Sequence, residues 1–141
     1  LSEVQGGEVD PQQIMDKFDE EYLSKKEPYE FIKVKVEDLN EKDSHIVLDY
    51  RYNGKDMHIE ADGNGPIDAV KRAINSHMDL DVCIRNYSEH AMGSGSHARA
   101  AAYIQMRDNR TEKETFGVGV SSNITRASIR SFFSAFNRLM R

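Results

Sequence analysis

The amino-acid sequence predicts an α+β fold of two β-β-β-α units, related by internal pseudo-symmetry and preceded by one N-terminal helix. Two stretches with apolar residues at every second position each lead into a stretch with apolar residues at helical spacing. The two halves also align at an offset of 58 positions, which matches Lys55 with Lys113 and Ala69 with Ala127. A small sheet with one helix cannot bury its own apolar face, so we expect the two units to pack together through these faces.

The N-terminal part predicts a linker and a helix. Residues 1–9 have no periodic pattern and contain two adjacent glycines, which is typical of a flexible linker. Asp10 supplies an N-cap carboxylate, and Pro11 suits the first helical position. The apolar stripe of this helix is Ile14, Met15, Phe18, Tyr22 and Leu23. The helix either docks on its own domain or connects to a neighbour. We assign residues 1–27 to the linker and a helix of a preceding subdomain, and residues 28–141 to the main domain.

The first unit is expected over residues 28–79. Asn53 and Gly54 separate its second and third strands and predict a two-residue hairpin, because both residue types tolerate positive φ. A turn rich in glycine ends at Pro66 and introduces the helix. The alternating strand residues are Ile32, Val34 and Val36, then Ile46, Leu48, Tyr50 and Tyr52, then Met57, Ile59 and Ala61.

The second unit is expected over residues 80–141 and repeats this order. Its predicted strands are Val82–Tyr87, Arg99–Arg107 and Thr115–Val120. A helix follows from about Thr125 to Met140, and its apolar stripe is Ile129, Phe132, Phe133 and Phe136.

Composition excludes several classes of protein. The chain has 141 residues and a net charge of -5, with 24 acidic side chains against 19 Lys and Arg. This balance argues against nucleic acid or an anionic membrane as partner, and a barrel enzyme of about 250 residues would not fit. One cysteine excludes a disulfide within the chain, and no apolar run approaches the ~20 residues of a membrane span. We therefore expect a cytoplasmic domain, and Leu1 in place of Met is typical of a piece of a larger protein.

Two helix starts are candidate anion sites, Gly63–Asp68 and Ser121–Thr125. Unbonded N–H groups and the positive end of the helix dipole favour a carboxylate or phosphate at such a turn. The alternative is an ordinary strand-to-helix turn. Neither segment matches a P-loop or a dinucleotide-binding fingerprint.

The segment from Asn86 to Ala98 is rich in Gly, Ser and Ala and leaves room for a ligand. Glu89 and His90 are adjacent, so on an extended chain they point to opposite sides and do not favour acid-base catalysis. His90 and His97 lack an evident third metal ligand. We therefore expect neither catalytic nor metal-binding residues in this chain.

Four motifs in order make the chain similar to a known family over residues from about 10 to 141. They resemble the C-terminal regulatory domain of 2-isopropylmalate synthase. The motifs are Gly63-Asn64-Gly65-Pro66-Ile67-Asp68-Ala69, Tyr87-x-Glu89-His90-Ala91 with Gly93-x-Gly95, Ala100-Ala101-Ala102-Tyr103, and Gly117-Val118-Gly119-Val120 continuing through Asn123-Ile124-Thr125 to Asn137-Arg138.

The resemblance implies a non-catalytic regulatory domain that forms a homodimer and binds L-leucine as feedback inhibitor. Its target would be the catalytic barrel of the same chain, an acyltransferase that condenses acetyl-CoA with 2-oxoisovalerate using a divalent metal. The family's leucine-binding positions fall on Gly63, Asn64, Gly65, Pro66, Ile67, Asp68, Ile84, Tyr87, Ala91, Ala98 and Ile124.

The expected binding mode joins the resemblance to the helix-start argument. The leucine carboxylate would lie on the N–H groups after Gly65, and its ammonium would meet backbone carbonyls near Ile84 and Tyr87. Its isobutyl group would lie among Ile67, Ala91, Ala98 and Ile124. Two alternatives stay open: an isoleucine-sensing domain of a citramalate synthase, or a dimerisation module without a ligand. A free-standing enzyme lacks a credible set of catalytic residues.

Overall fold

The computed structural model describes residues 28–93, 95 and 98–141, and within them it confirms the predicted order of two β-β-β-α units. The predicted linker, the N-terminal helix and His97 lie outside the described residues. Within that part of the chain, neither helix is long and apolar enough to cross a membrane. The elements are β1 (Tyr29–Asp38), β2 (Ser44–Tyr52), β3 (Lys55–Gly63), α1 (Pro66–Met78), β4 (Val82–Met92), β5 (Arg99–Asp108), β6 (Glu114–Ser121) and α2 (Ile124–Leu139).

The first sheet is antiparallel, with strand order β1-β2-β3. Ile46, Leu48 and Tyr50 are buried on one face, because alternate residues of a strand point to the same side. The predicted hairpin between β2 and β3 is confirmed. Asn53 and Gly54 have φ of 49° and 84°, the positive values that a two-residue turn of this kind requires.

The second sheet has strand order β4-β5-β6, also antiparallel. β4 continues to Met92, well beyond the predicted end at Tyr87. The prediction stopped too early because the added residues are mostly small or polar and show no apolar alternation. They are nevertheless paired in register with β5, where Ala91 lies opposite Ala100. A register shift between Ile84 and Asn86 marks a bulge.

The two units share one hydrophobic core, as their apolar faces predict. Ile129, Phe132 and Phe136 of α2 are fully buried in a cluster that contains residues from both sheets and both helices. α2 packs on β5 and β6 of its own unit and also on β1 and α1 of the other. Helix α2 therefore joins the two halves.

A buried side chain fixes this joint. Asn137 on α2 donates from Nδ2 to the Tyr29 carbonyl oxygen at 2.8 Å and accepts from the Tyr29 N–H at 2.8 Å. Its amide therefore satisfies both backbone groups of a residue at the start of β1, 108 positions away. A buried backbone group without such a partner would cost about 1–3 kcal/mol.

α2 lies unusually close to β6 because two strand positions are glycine. A Cβ placed on Gly119 would lie 2.2 Å from the Ala127 carbonyl oxygen and 2.4 Å from the Ser131 nitrogen. A Cβ on Gly117 would lie 2.3 Å from the Ala135 nitrogen. These distances are to backbone atoms, so no side-chain rotation could relieve them.

Gly119→Ala should therefore lower the free energy of unfolding by about 3 kcal/mol or more, because the added methyl group forces α2 away from β6. Urea unfolding followed by circular dichroism measures the change. Phe116→Ala is the matched control on the same strand: this side chain is 59% exposed, and its loss should cost no more than about 1 kcal/mol. Equal costs for the two variants would contradict the close packing of α2 on β6.

Candidate functional site

The start of α1 is shaped by two glycines and a proline. A Cβ on Gly63 would lie 2.4 Å from the Ala69 nitrogen, so this turn passes very close to the helix backbone. Gly65 has φ 95° and ψ 167°, a conformation that is essentially restricted to glycine. Pro66 follows at the first helical position. Among the residues that the structure describes, no side chain caps this helix, so its first-turn N–H groups have no acceptor from a capping residue there.

Asp68 stabilises the turn from inside the helix. Its carboxylate accepts from the Asn64 N–H at 2.9 Å and lies 3.0 Å from the Lys71 ammonium and 2.9 Å from the Arg72 Nε. Burial raises the pKa of Asp68, but the Asn64 hydrogen bond and the Lys71 ammonium outweigh it, and the pKa lies below its ordinary value. Asp68 is thus charged and already paired.

The start of α2 is chemically different from that of α1. The Asn123 side chain accepts a hydrogen bond from the Arg126 N–H at 3.0 Å, which is a regular N-cap. The Ser121 hydroxyl accepts from the Asn123 N–H at 3.2 Å. The second helix start therefore has a side-chain acceptor for one of its first-turn N–H groups, that of Arg126, and the first helix start has no such cap.

A cavity of about 280 Å³ lies between the two helix starts. It is near the small end of the ~300–1,000 Å³ that is typical of sites for small molecules. Both units contribute to it, and its lining consists of Gly65, Pro66, Ile67, Tyr87, Glu89, Ile124, Thr125 and Ser128. We call this space the interhelix cavity.

A second hollow of about 420 Å³ lies next to the interhelix cavity and shares Glu89 and Ile124 with it. Its remaining lining residues are His90, Ala91, Ala98, Arg99, Ala100 and Ser122. Three of its eight lining residues are alanines. We call this space the alanine hollow.

The structure brings seven of the eleven predicted site residues to these two spaces. Gly65, Pro66, Ile67, Tyr87 and Ile124 line the interhelix cavity, and Ala91 and Ala98 line the alanine hollow. The other four lie outside both linings. Gly63, Asn64 and Asp68 form the turn before α1, and Ile84 packs against the main core.

Tyr87 links β4 to α2 within the second unit, beside the interhelix cavity. Its hydroxyl donates to Glu89 Oε2 at 2.8 Å and also meets the Ser128 hydroxyl on α2. Burial raises the pKa of the Tyr87 phenol, and of the two smaller effects the Ser128 hydrogen bond lowers it and the one to Glu89 raises it. Tyr87 is therefore a neutral donor at neutral pH.

The predicted leucine-binding set omits three polar lining residues, Glu89, Thr125 and Ser128, although Thr125 belongs to the second candidate helix start. Strand periodicity could have found the first, because Glu89 lies between Tyr87 and Ala91 on the same face of β4. Helical periodicity could have found the last, because Ser128 lies one turn after Ile124. The opposite placement predicted for Glu89 and His90 is confirmed, since His90 packs edge-on against Tyr103 on the other face of the sheet.

A larger hollow of about 580 Å³ lies at the second sheet, but its chemistry is less suitable for a charged ligand. None of its lining residues carries a charge: Asn86, Tyr87, Ser88, Tyr103, Ile104, Gln105, Phe116, Gly117 and Val118. Among the residues that the structure describes, no group of three or more His, Cys, Asp or Glu side chains is arranged to hold a metal ion.

Comparison with known proteins decides the family. The family model described as the LeuA allosteric (dimerisation) domain matches residues 8–140. The chain belongs to this family. A 2-isopropylmalate synthase of Mycobacterium leprae is 40% identical over 142 residues, and the match covers 99% of this chain and 23% of that protein. A 2-isopropylmalate synthase of Clostridium acetobutylicum is 41% identical over 138 residues, covering 93% of this chain and 24% of that protein. The chain thus spans about a quarter of the length of these relatives.

Asp68→Asn should lower the free energy of unfolding at neutral pH by about 1 kcal/mol, because it removes charge-assisted bonds in the first turn of α1. The folded-state pKa is depressed, so this contribution is present above the ordinary Asp pKa of ~3.9 and is lost as the pH falls through the folded-state value. Urea unfolding should therefore show the gap between wild type and variant shrinking from pH ~7 to pH ~3.

Asp56→Asn is the control for this prediction. Its carboxylate is 83% exposed, so the substitution should change stability by less than about 0.5 kcal/mol at either pH. A constant gap for Asp68→Asn across the pH range would contradict the role assigned to its charge.

Proposed function

We propose that this chain is the regulatory domain of a 2-isopropylmalate synthase and binds L-leucine in the interhelix cavity. The observation that carries the proposal is this cavity between one uncapped and one capped helix start, in a chain of the allosteric dimerisation family. The relatives that carry the synthase name support the identity of the parent enzyme.

The leucine carboxylate binds at the start of α1. The first-turn N–H groups of Ile67 and Asp68 have no side-chain cap, and the positive end of the helix dipole adds to their attraction for an anion. Gly65 carries no side chain that could shield them. The space beside its Cα is also open, because a Cβ there would meet no atom within 4 Å. Space for the carboxylate is therefore present directly before the helix.

The leucine side chain lies among apolar residues from both units. Pro66 and Ile67 come from α1, and Ile124 comes from α2. Ile124 is 41% exposed, so a bound isobutyl group would remove apolar surface from water on both sides. Burying it contributes about 2 kcal/mol, which together with the carboxylate contacts fits an affinity in the micromolar to millimolar range.

Regulation requires a second part of the protein. We assign the catalytic reaction, condensation of acetyl-CoA with 2-oxoisovalerate, to a barrel domain of the same chain, where a divalent metal would act. The present domain would form a homodimer, and leucine would inhibit by binding one arrangement of that dimer better than another. Because the cavity is walled by both units, its occupancy is sensitive to how the units lie against each other.

L-leucine should raise the melting temperature of the 141-residue chain at millimolar concentration, because it binds only the folded state. L-valine should raise it much less, since it lacks one methylene and fills the apolar space poorly. L-isoleucine distinguishes the alternative effector. Differential scanning fluorimetry measures all three shifts, and no shift with leucine would contradict the proposal. A larger shift with isoleucine would instead identify the domain as an isoleucine sensor.

Gly65→Asp and Gly65→Asn form a matched pair for the same measurement. Both strain the backbone at φ 95° by a similar amount, and only Asp adds a negative charge beside the ligand carboxylate. In isothermal calorimetry we expect the Gly65→Asp variant to bind leucine at least tenfold more weakly than the Gly65→Asn variant, or not detectably. Equal affinities for the pair would place the carboxylate elsewhere.

A further inference from the structure

We propose that the Glu89 carboxylate recognises the ammonium group of the bound effector and so selects a free α-amino acid over the 2-oxo acid of the same carbon skeleton. This inference rests on the proposed effector site and names the group that reads the ligand's positive charge. In the sequence-based expectation, backbone carbonyls near Ile84 and Tyr87 contact the ammonium group. The inference assigns this contact to a side-chain carboxylate instead, and Ile84 lines neither space.

Position supports Glu89 first. It lies on β4 opposite Ala102, on the face of the sheet that points toward α2. It lines both the interhelix cavity and the alanine hollow, and among the described residues it is the one acidic side chain in either lining. A ligand that occupies the junction of the two spaces therefore has this carboxylate beside it.

The carboxylate is held in place without being neutralised. The Tyr87 hydroxyl donates to its Oε2 at 2.8 Å, and Tyr87 is in turn in contact with the Ser128 hydroxyl. Among the described residues, no Lys, Arg or His forms an ion pair with Glu89. Glu89 thus differs from Asp68, whose charge is already balanced by Lys71 and Arg72.

The charges of the interhelix cavity match a zwitterion. The start of α1 attracts a carboxylate, and Glu89 attracts a cation within the same lining. A 2-oxo acid or a simple carboxylic acid presents only the negative group, so Glu89 repels it and leaves no compensating contact. Backbone carbonyls are weaker discriminators, because they carry no net charge. Specificity then arises as much from repulsion of the wrong ligand as from attraction of the right one.

The test compares Glu89→Gln with wild type by isothermal calorimetry, using L-leucine, 4-methyl-2-oxopentanoate and 4-methylpentanoate. Gln keeps the shape and can still accept from Tyr87, but it removes the charge. Because Glu89 is exposed rather than buried, we expect the variant to bind leucine about tenfold more weakly. Binding of the two acids should stay unchanged or improve. A merely structural role of Glu89 would not produce a loss of affinity for leucine alone.

Two further variants sharpen the result. Tyr87→Phe removes the hydroxyl that positions Glu89 and should weaken leucine binding by a smaller factor, again without loss for the two acids. Glu114→Gln is the control, because the Glu114 carboxylate accepts a hydrogen bond from Gln105 and lies outside both linings. This variant should leave all three affinities unchanged.

The outcomes separate this inference from the site on which it rests. If Glu89→Gln binds leucine as tightly as wild type does, the role of Glu89 is overturned and the leucine site stands. If the variant loses leucine and the acids equally, Glu89 supports the cavity structurally and the inference is also overturned. If wild type binds none of the three, the proposed effector site fails and this inference fails with it.

Discussion

The arrangement of this domain depends on how closely α2 approaches β6. Gly117 and Gly119 remove the two side chains that would otherwise hold the helix off the strand, and the helix backbone occupies their space. This depth lets Phe132 and Phe136 reach the common core and lets Asn137 bond the first strand of the other unit. The close approach of α2 to β6 also positions the residues that α2 contributes to the lining of the cavity, Ile124, Thr125 and Ser128.

Two units with the same order of elements have acquired different helix starts. Asn123 caps α2 with its own side chain, while Gly65 leaves α1 without a side-chain cap. A pseudo-symmetric fold would otherwise present two similar anion sites. In the site that we propose, the cap on α2 directs the ligand carboxylate to the start of α1, and Glu89 adds a negative charge between the two helix starts. The two repeats thus differ in a few polar groups, and the proposed function uses this difference to give one site instead of two.

The fold could be predicted from the sequence because its signals are local. Alternation on β2, the turn at Asn53 and Gly54, and the helical stripe of α2 each report on nearby residues only. The end of β4 could not be predicted in this way, because its last residues pair with β5 but show no apolar alternation in the sequence.

The candidate site was predictable only in part, for a related reason. Family motifs mark positions that shape the backbone as well as positions that face the ligand. Gly63 and Asp68 are of the first kind: one permits close packing and the other bonds the Asn64 N–H, and neither lines the cavity. Ser128 and Glu89 line the cavity, but tertiary packing decides which face of a strand or helix does so, and a local pattern does not report it. The ligand contacts of all these residues stay predictions.

Amide chemical shifts can report whether an effector carboxylate binds at the uncapped start of α1. In a leucine titration of isotopically labelled chain, followed by two-dimensional NMR, the N–H signals of Ile67 and Asp68 should move most. The N–H of Arg126, already bonded to Asn123, should move much less. Equal movement at both helix starts, or none at Ile67 and Asp68, would show that the carboxylate does not bind at the start of α1.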